Sequence, residues 1–146
     1  MTINEIQDEI IDEFSLLDDW MDRYALLIDY GNSLPAFPEE DRTERNLIDG
    51  CQSKVWFTCR LEPSADFGSQ VVVYQGDSDA ILVKGIVALL IRVLSGHTPQ
   101  QIVDADLYFI DRIQLREHLS PTRSNGLAAM LKQMRLFAMT YLAAAH

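Results

Sequence analysis

Two cysteines and three histidines are the entire stock of thiol and imidazole side chains in this 146-residue chain. Cys51 and Cys59 form no CxxC pair and are too few for a disulfide framework. His97, His118 and His146 lie far apart, which excludes a zinc-type ligand spacing. Positive charge is equally scarce: 12 Lys and Arg stand against 22 Asp and Glu, a net charge of −10. No Lys/Arg cluster supplies the basic face that phosphates require, so nucleic acid is excluded as a partner. Long apolar runs are missing too. The longest, Ile86 to Leu94, is interrupted by Arg92 and suits a buried helix, not a membrane span. The N-terminus, Met1-Thr2-Ile3-Asn4-Glu5-Ile6, lacks the basic and small-residue pattern of a secretion signal. The expectation is a soluble cytoplasmic protein with reduced thiols, no metal and no cofactor of its own.

What is present is a core. Hydrophobic residues make up 48% of the chain, enough to fill one domain spanning residues 1–146. The acids are unevenly spread: residues 1–41 carry twelve acids and one base, Arg23, while the remainder is close to neutral. That stretch reads as a solvated helix face, or more sharply as a surface that steers a basic partner.

Thr2-Ile3-Asn4-Glu5 has the form of a capping box. Behind it Ile3, Ile6, Ile10, Phe14 and Leu17 recur at helical spacing. Trp20, Tyr24, Leu27 and Ile28 mark a second helix, with Gly31 placed to end it as a C′ residue. Asn32 to Asp49, with Pro35 and Pro38, reads as a connection. After Cys51 the period changes to two: Val55, Phe57, Cys59 and Leu61 alternate with Trp56, Thr58 and Arg60. A turn over Pro63–Ser69 and a second strand over Gln70–Gln75 follow, the strands pairing antiparallel. Gly76-Asp77-Ser78-Asp79 reads as a turn into a helix capped by Asp77 or Ser78. Ala80 to Leu94 is the central buried helix, stopped at Ser95-Gly96. Thr98-Pro99 opens a short helix, Asp104 to Leu119 a loose helical region, and Ser120-Pro121 the last helix. Leu127, Met130, Leu131, Met134, Phe137 and Tyr141 are its apolar stripe. Helices, then strands, then helices predict an α+β fold with a small antiparallel sheet packed against several helices.

The two thiols differ. Cys59 shares a strand face with Val55 and Phe57 and reads as a small core hydrophobe. Cys51 precedes the alternation, in a segment without apolar packing of its own, beside a glycine that removes bulk and allows a sharp turn. It is the candidate reactive residue. A hydrolytic role would need a base, and His97 and His118 both read as surface residues. Gly76–Asp79 lacks the ligand set of a calcium loop. Lys84 reads as a snorkelling side chain.

Three segments carry a resemblance. Asn46-Leu47-Ile48-Asp49-Gly50-Cys51-Gln52-Ser53-Lys54-Val55-Trp56, then Gly76-Asp77-Ser78-Asp79-Ala80 with Val83-Lys84-Gly85, then Leu119-Ser120-Pro121-Thr122-Arg123-Ser124 with Gly126-Leu127 resemble, in order, the signatures of the SufE family of bacterial sulfur acceptors. Leu34-Pro35 also falls where that family has the same pair. The resemblance implies an α+β fold of the SufE/IscU type. It also implies work beside a PLP-dependent cysteine desulfurase of the SufS type, whose persulfide sulfur is taken by the thiol matching Cys51 and passed toward an iron–sulfur scaffold. Cluster ligands are missing. Gly50, Gln52, Ser53, Asp77, Ser78, Asp79 and Arg123 are the expected partner-facing residues. The chain departs from familiar members at Pro63–Ser69 and Leu107-Tyr108-Phe109, which bears on loop shape and downstream partners. Gln52-Ser53 favours SufE proper over the related CsdE branch. A small cysteine enzyme with a histidine base, and an interaction module with an incidental Cys51, are the other readings. The oligomeric state stays open, a homodimer included.

Overall fold

The computed structural model describes residues 1–64 and 69–145. Helix α1 (Ile3–Ser15) starts in the expected capping box: the Thr2 hydroxyl accepts from the Glu5 amide, and the Glu5 carboxylate accepts from the Thr2 amide. Ile3, Ile10 and Phe14 turn inward, and so does Gln7. Gln7 is a buried polar residue whose amide receives Phe109 N–H and donates to Asp106 O, so its burial leaves neither group unpaired. Helix α2 (Trp20–Asn32) follows, capped by Asp19.

Gly31 departs from expectation. It lies inside α2, where an added Cβ would sit 2.9 Å from the backbone nitrogen of Gly85. The reciprocal position is tighter still, since a Cβ on Gly85 would collide with Leu27 O. These glycines let two helix backbones touch; neither serves as a helix terminator.

Two short 3-10 turns, Glu39–Asp41 and Glu44–Asn46, carry the chain to β1 (Val55–Pro63). Strand β1 pairs antiparallel with β2 (Gln70–Ser78) in the register Val55↔Ser78 through Pro63↔Gln70. The expected turn at Pro63–Ser69 falls largely outside the described residues. Strand β2 runs past Gln75 as far as Ser78, so Gly76, Asp77 and Ser78 are strand residues and not a turn. Gly76 must be small, because a Cβ there would lie 2.8 Å from a Val87 methyl group.

Helix α3 (Ile81–Leu94) is the central element, with nine of its residues buried. Its N-cap is Ala80, which offers no side-chain cap, so Asp77 and Ser78 do not play that role. Ser95 ends it and Gly96 adopts a left-handed φ of +82°. Helix α4 (Pro99–Asp104) begins with a second capping box, Thr98 and Gln101. The loose region after it holds one short helix, α5 (Phe109–Arg112), and a 3-10 turn, Arg116–His118. Helix α6 (Pro121–Ala145) closes the fold, burying Leu127, Met130, Leu131 and Met134.

The result is α+β: a two-stranded sheet with α3 on β2, α1, α2 and α6 against α3, α4 against α6 and α5 against α1. No helix among the described residues is long and apolar enough to cross a membrane.

The two histidines divide. His118 is exposed and stacks on Trp20 at 3.8 Å between ring centres. His97, expected at the surface, is 4% exposed, with Nε2 3.1 Å from Met1 O. Strand β2 passes beside it, since His97 O receives Val72 N–H, and this pairing draws the segment inward. Cys59 is half-buried at the core margin, its Sγ 3.5 Å from Tyr141 Oη.

Candidate functional site

The loop bearing Cys51 is short and fixed at both ends. On the incoming side Ile48 is buried and its amide donates to Val55 O at 2.9 Å. On the outgoing side Lys54 is gripped by the end of β2. Its amide donates to Asp79 Oδ1 at 3.0 Å, and its carbonyl accepts from Ser78 Oγ at 2.8 Å and from Asp79 N at 3.2 Å. Between these anchors Gly50 adopts a φ of +90°, a left-handed conformation that side chains resist. A Cβ at Gly50 would also press on Ala129 at 3.3 Å. Glycine is therefore required there twice over, by backbone geometry and by the approach of α6.

The turn delivers Cys51 to the first turns of α6. Its Sγ points toward Gly126 O at 3.6 Å, a weak sulfur hydrogen bond. A Cβ on Gly126 would stand 3.5 Å from that sulfur, an ordinary van der Waals contact, so α6 lies close beside the thiol without glycine being required there. Beside the sulfur is a small cavity of about 20 Å³, walled by Val83 and Ile86 of α3, Met130 and Gly126 of α6, and Thr122 and Arg123 at its rim. That is room for about one water-sized sphere. The expectation that the Cys51 segment has no apolar packing is thus corrected: the loop packs its thiol against the core.

Burial pushes the Cys51 thiol above its ordinary value, because a thiolate is poorly solvated there. None of the residues lining the cavity is a histidine, aspartate or glutamate that would act as a base. The thiol held in this position is protonated near neutral pH and a poor nucleophile.

The expected partner-facing residues separate on inspection. Gln52 and Ser53 flank the thiol at the cavity mouth, and Arg123 is exposed at its rim. Ser78 and Asp79 are ties that hold Lys54. Asp77 is not a surface residue at all; its side chain is 8% exposed. Its Oδ2 receives Arg42 Nη2 at 2.6 Å and Nε at 3.1 Å, while Lys84 Nζ lies 3.4 Å from Oδ1. Burial works against the Asp77 charge, but Arg42, the Ser78 amide and Lys84 outweigh it and hold the carboxyl below its usual range. Asp77 thereby fastens the Pro38–Arg42 segment to β2 and α3. No cluster of three or more His, Cys, Asp or Glu able to hold a metal occurs among the described residues.

Sequence reasoning gave no site role to Val83, Ile86 and Met130 in the cavity wall, or to Arg42 on Asp77. Val83 and Ile86 carried a signal in their one-turn spacing on a helix that starts beside Asp79. Gly126 stood within the third signature. Arg42 gave no sign, since its partner is 35 residues away.

Fold and site together define a class: an α+β protein with one thiol tucked beneath an apolar helix–helix seam. A model of the SufE family, described as an Fe-S metabolism associated domain, matches residues 8–138. The chain belongs to the SufE family. An uncharacterized SufE-like protein of Rhizobium etli is 43% identical over 129 residues, covering 88% of this chain and 86% of that one. Another from Rhizobium meliloti is 39% identical over 129 residues, covering 88% and 91%. The solution structure of a hypothetical protein from Thermus thermophilus superposes with a TM-score of 0.74 at 21% identity, covering 94% of this chain and 96% of the other. That last likeness speaks to the fold.

Proposed function

We propose that this protein is a sulfur acceptor, taking persulfide sulfur onto Cys51 from a PLP-dependent cysteine desulfurase of the SufS type and handing it toward an iron–sulfur scaffold. The observation that carries the reading is the placement of Cys51 Sγ beside a cavity of about 20 Å³, on a loop pinned at both ends. Membership of a family tied to Fe–S metabolism supports it.

The chemistry is an exchange at sulfur. The loop swings out, Cys51 loses its proton to solvent, and its thiolate attacks the outer sulfur of the partner's cysteine persulfide. The S–S bond to the donor breaks, a new one forms at Cys51, and the donor leaves as a thiolate. Nothing is oxidised or reduced overall. Swung back, the extra sulfur occupies the cavity among Val83, Ile86 and Met130, away from water and stray thiols. Burial that disfavours the thiolate keeps the empty carrier quiet between encounters. Gly50, Gln52, Ser53 and Arg123 form the face met by the desulfurase, and the ties from Ser78 and Asp79 set how readily the loop leaves. The PLP belongs to the partner.

The test is intact-protein mass spectrometry after incubation with a SufS-type desulfurase and L-cysteine. The expected result is a gain of one sulfur atom on the wild-type chain, removed by reductant and absent from Cys51→Ser. No gain in the presence of active desulfurase, or an equal gain on Cys51→Ser, overturns the proposal.

A further inference from the structure

Three consecutive residues at the end of β2 hold both arms of the Cys51 loop. Ser78 and Asp79 grip Lys54 on the outgoing arm. Asp77 reaches the other way, to Arg42 on the incoming arm. A short run of chain thus fixes the thiol from two sides.

The incoming arm has little else to hold it. Thr43, Glu44 and Arg45 are exposed, and the first buried residue after Arg42 is Ile48. Asn46 Nδ2 donates to Asp41 O at 2.9 Å, which joins the two 3-10 turns to each other and not to the core. The arm is therefore a stiff unit, attached by Arg42 at one end and by the bridge from Leu47 to Trp56 at the other. Asp77 stands behind both attachments, by its side chain to Arg42 and by its strand pairing to Trp56. Arg42 suits the task. Its Nη2 and Nε converge on Asp77 Oδ2 at 2.6 and 3.1 Å, and its Nη1 donates to Glu39. The guanidinium lies 5.9 Å from the ring centre of the buried Phe37. Lys84 does not duplicate it, because Nζ faces the other carboxylate oxygen, at 3.4 Å. A buried carboxylate is stable only while paired, so the arm that carries Arg42 has one favoured seat.

We propose that Arg42 is a positioning residue for the sulfur-accepting thiol: through Asp77 it seats the incoming arm, and with it Gly50 and Cys51, against α6. The loop then leaves its seat only when both arms are released, and the sulfur it carries stays sheltered while either holds. This inference rests on the sulfur-acceptor reading of Cys51 and adds a second latch to the one at Asp79.

The experiment compares the parent chain with Arg42→Gln and Arg42→Lys, all in a Cys59→Ser background, by the rate at which iodoacetamide labels Cys51. Arg42→Gln loses the charged hydrogen bonds to Asp77 and is expected to label roughly tenfold faster. Arg42→Lys keeps a cation on Asp77 without the converging pair, and its rate is expected between the two. The same substitutions in a Cys51→Ser background report on Cys59, half-buried on β1 beside Tyr141. Gly126 and Tyr141 are fifteen residues apart on α6, about 22 Å along the helix, so the Cys59 rate is expected to stay unchanged. After loading by a SufS-type desulfurase and L-cysteine, the sulfur on Arg42→Gln is expected to be lost faster in dilute thiol than that on the parent. Labelling of Cys51 no faster in Arg42→Gln than in the parent overturns the proposal. So does an equal rise at Cys59, which would trace the effect to a loosened fold, or an adduct that decays alike in both chains. A parent chain that gains no sulfur from an active desulfurase defeats the acceptor reading instead, and the two labelling rates then decide the latch by themselves.

Discussion

Asp79→Ala, made in a Cys59→Ser background so that a single thiol is read, isolates the tie on the Cys51 loop. The substitution removes the carboxylate that accepts Lys54 N–H at 3.0 Å and leaves the backbone bond from Asp79 N to Lys54 O in place. The lost bond has a charged acceptor but lies in an exposed setting, so its net contribution is about 1 kcal/mol. Without it the population of the swung-out loop rises about fivefold. Alkylation of Cys51 by iodoacetamide is faster from that open state, since the closed thiol is half-buried against Gly126 and burial disfavours its thiolate. The labelling rate, followed by intact mass at one mildly alkaline pH, is therefore expected to rise by the same factor of about five. Global stability should fall by no more than the same ~1 kcal/mol, because the bond is lost from the closed native state alone. A rate equal to or below that of the parent would refute the idea that the Asp79 tie limits exposure of the thiol. A fivefold rise accompanied by a large fall in stability would instead place the effect in the whole fold.

Further outcomes follow from the same geometry. Gly126→Leu fills the cavity beside Cys51 Sγ, and the reductant-sensitive sulfur adduct is expected to decay faster than in wild type, as seen by mass against time in dilute thiol. Gly85→Ala drives a Cβ into Leu27 O and must push α2 off α3. A loss of about 3 kcal/mol, or about 10 °C in thermal unfolding followed by circular dichroism, is expected. The acid limb of stability is set partly by two buried-side carboxylates: Glu13, lowered by hydrogen bonds from Arg92, and Asp77, lowered by Arg42 against the opposing effect of burial. Folding depresses both, so their contribution is complete above the ordinary carboxylate range and vanishes as pH falls through the folded values. Urea midpoints measured between about pH 5 and pH 2 should drop less steeply in Arg42→Met and Arg92→Met than in wild type.

Much of this protein is written locally. The capping boxes at Thr2–Glu5 and Thr98–Gln101, the period-two run from Val55 and the apolar block of α3 are each decided by neighbours within a few residues. The three signatures, read in order, resemble the SufE family, and the family model matches residues 8–138. Tertiary structure decided what depends on contact between distant segments. Gly31 looks like a helix terminator until Gly85 is laid across it. Gly76-Asp77-Ser78 looks like a cap until the register with β1 extends the strand and Arg42 buries the carboxylate. His97 looks exposed until β2 pairs beside it. Cys51 looks unsupported until α3 and α6, 32 and 75 residues further on at Val83 and Gly126, close around its sulfur. Sequence period reports which face of an element is apolar, whereas the depth of a cavity depends on which faces meet, and that is settled only when the whole core packs.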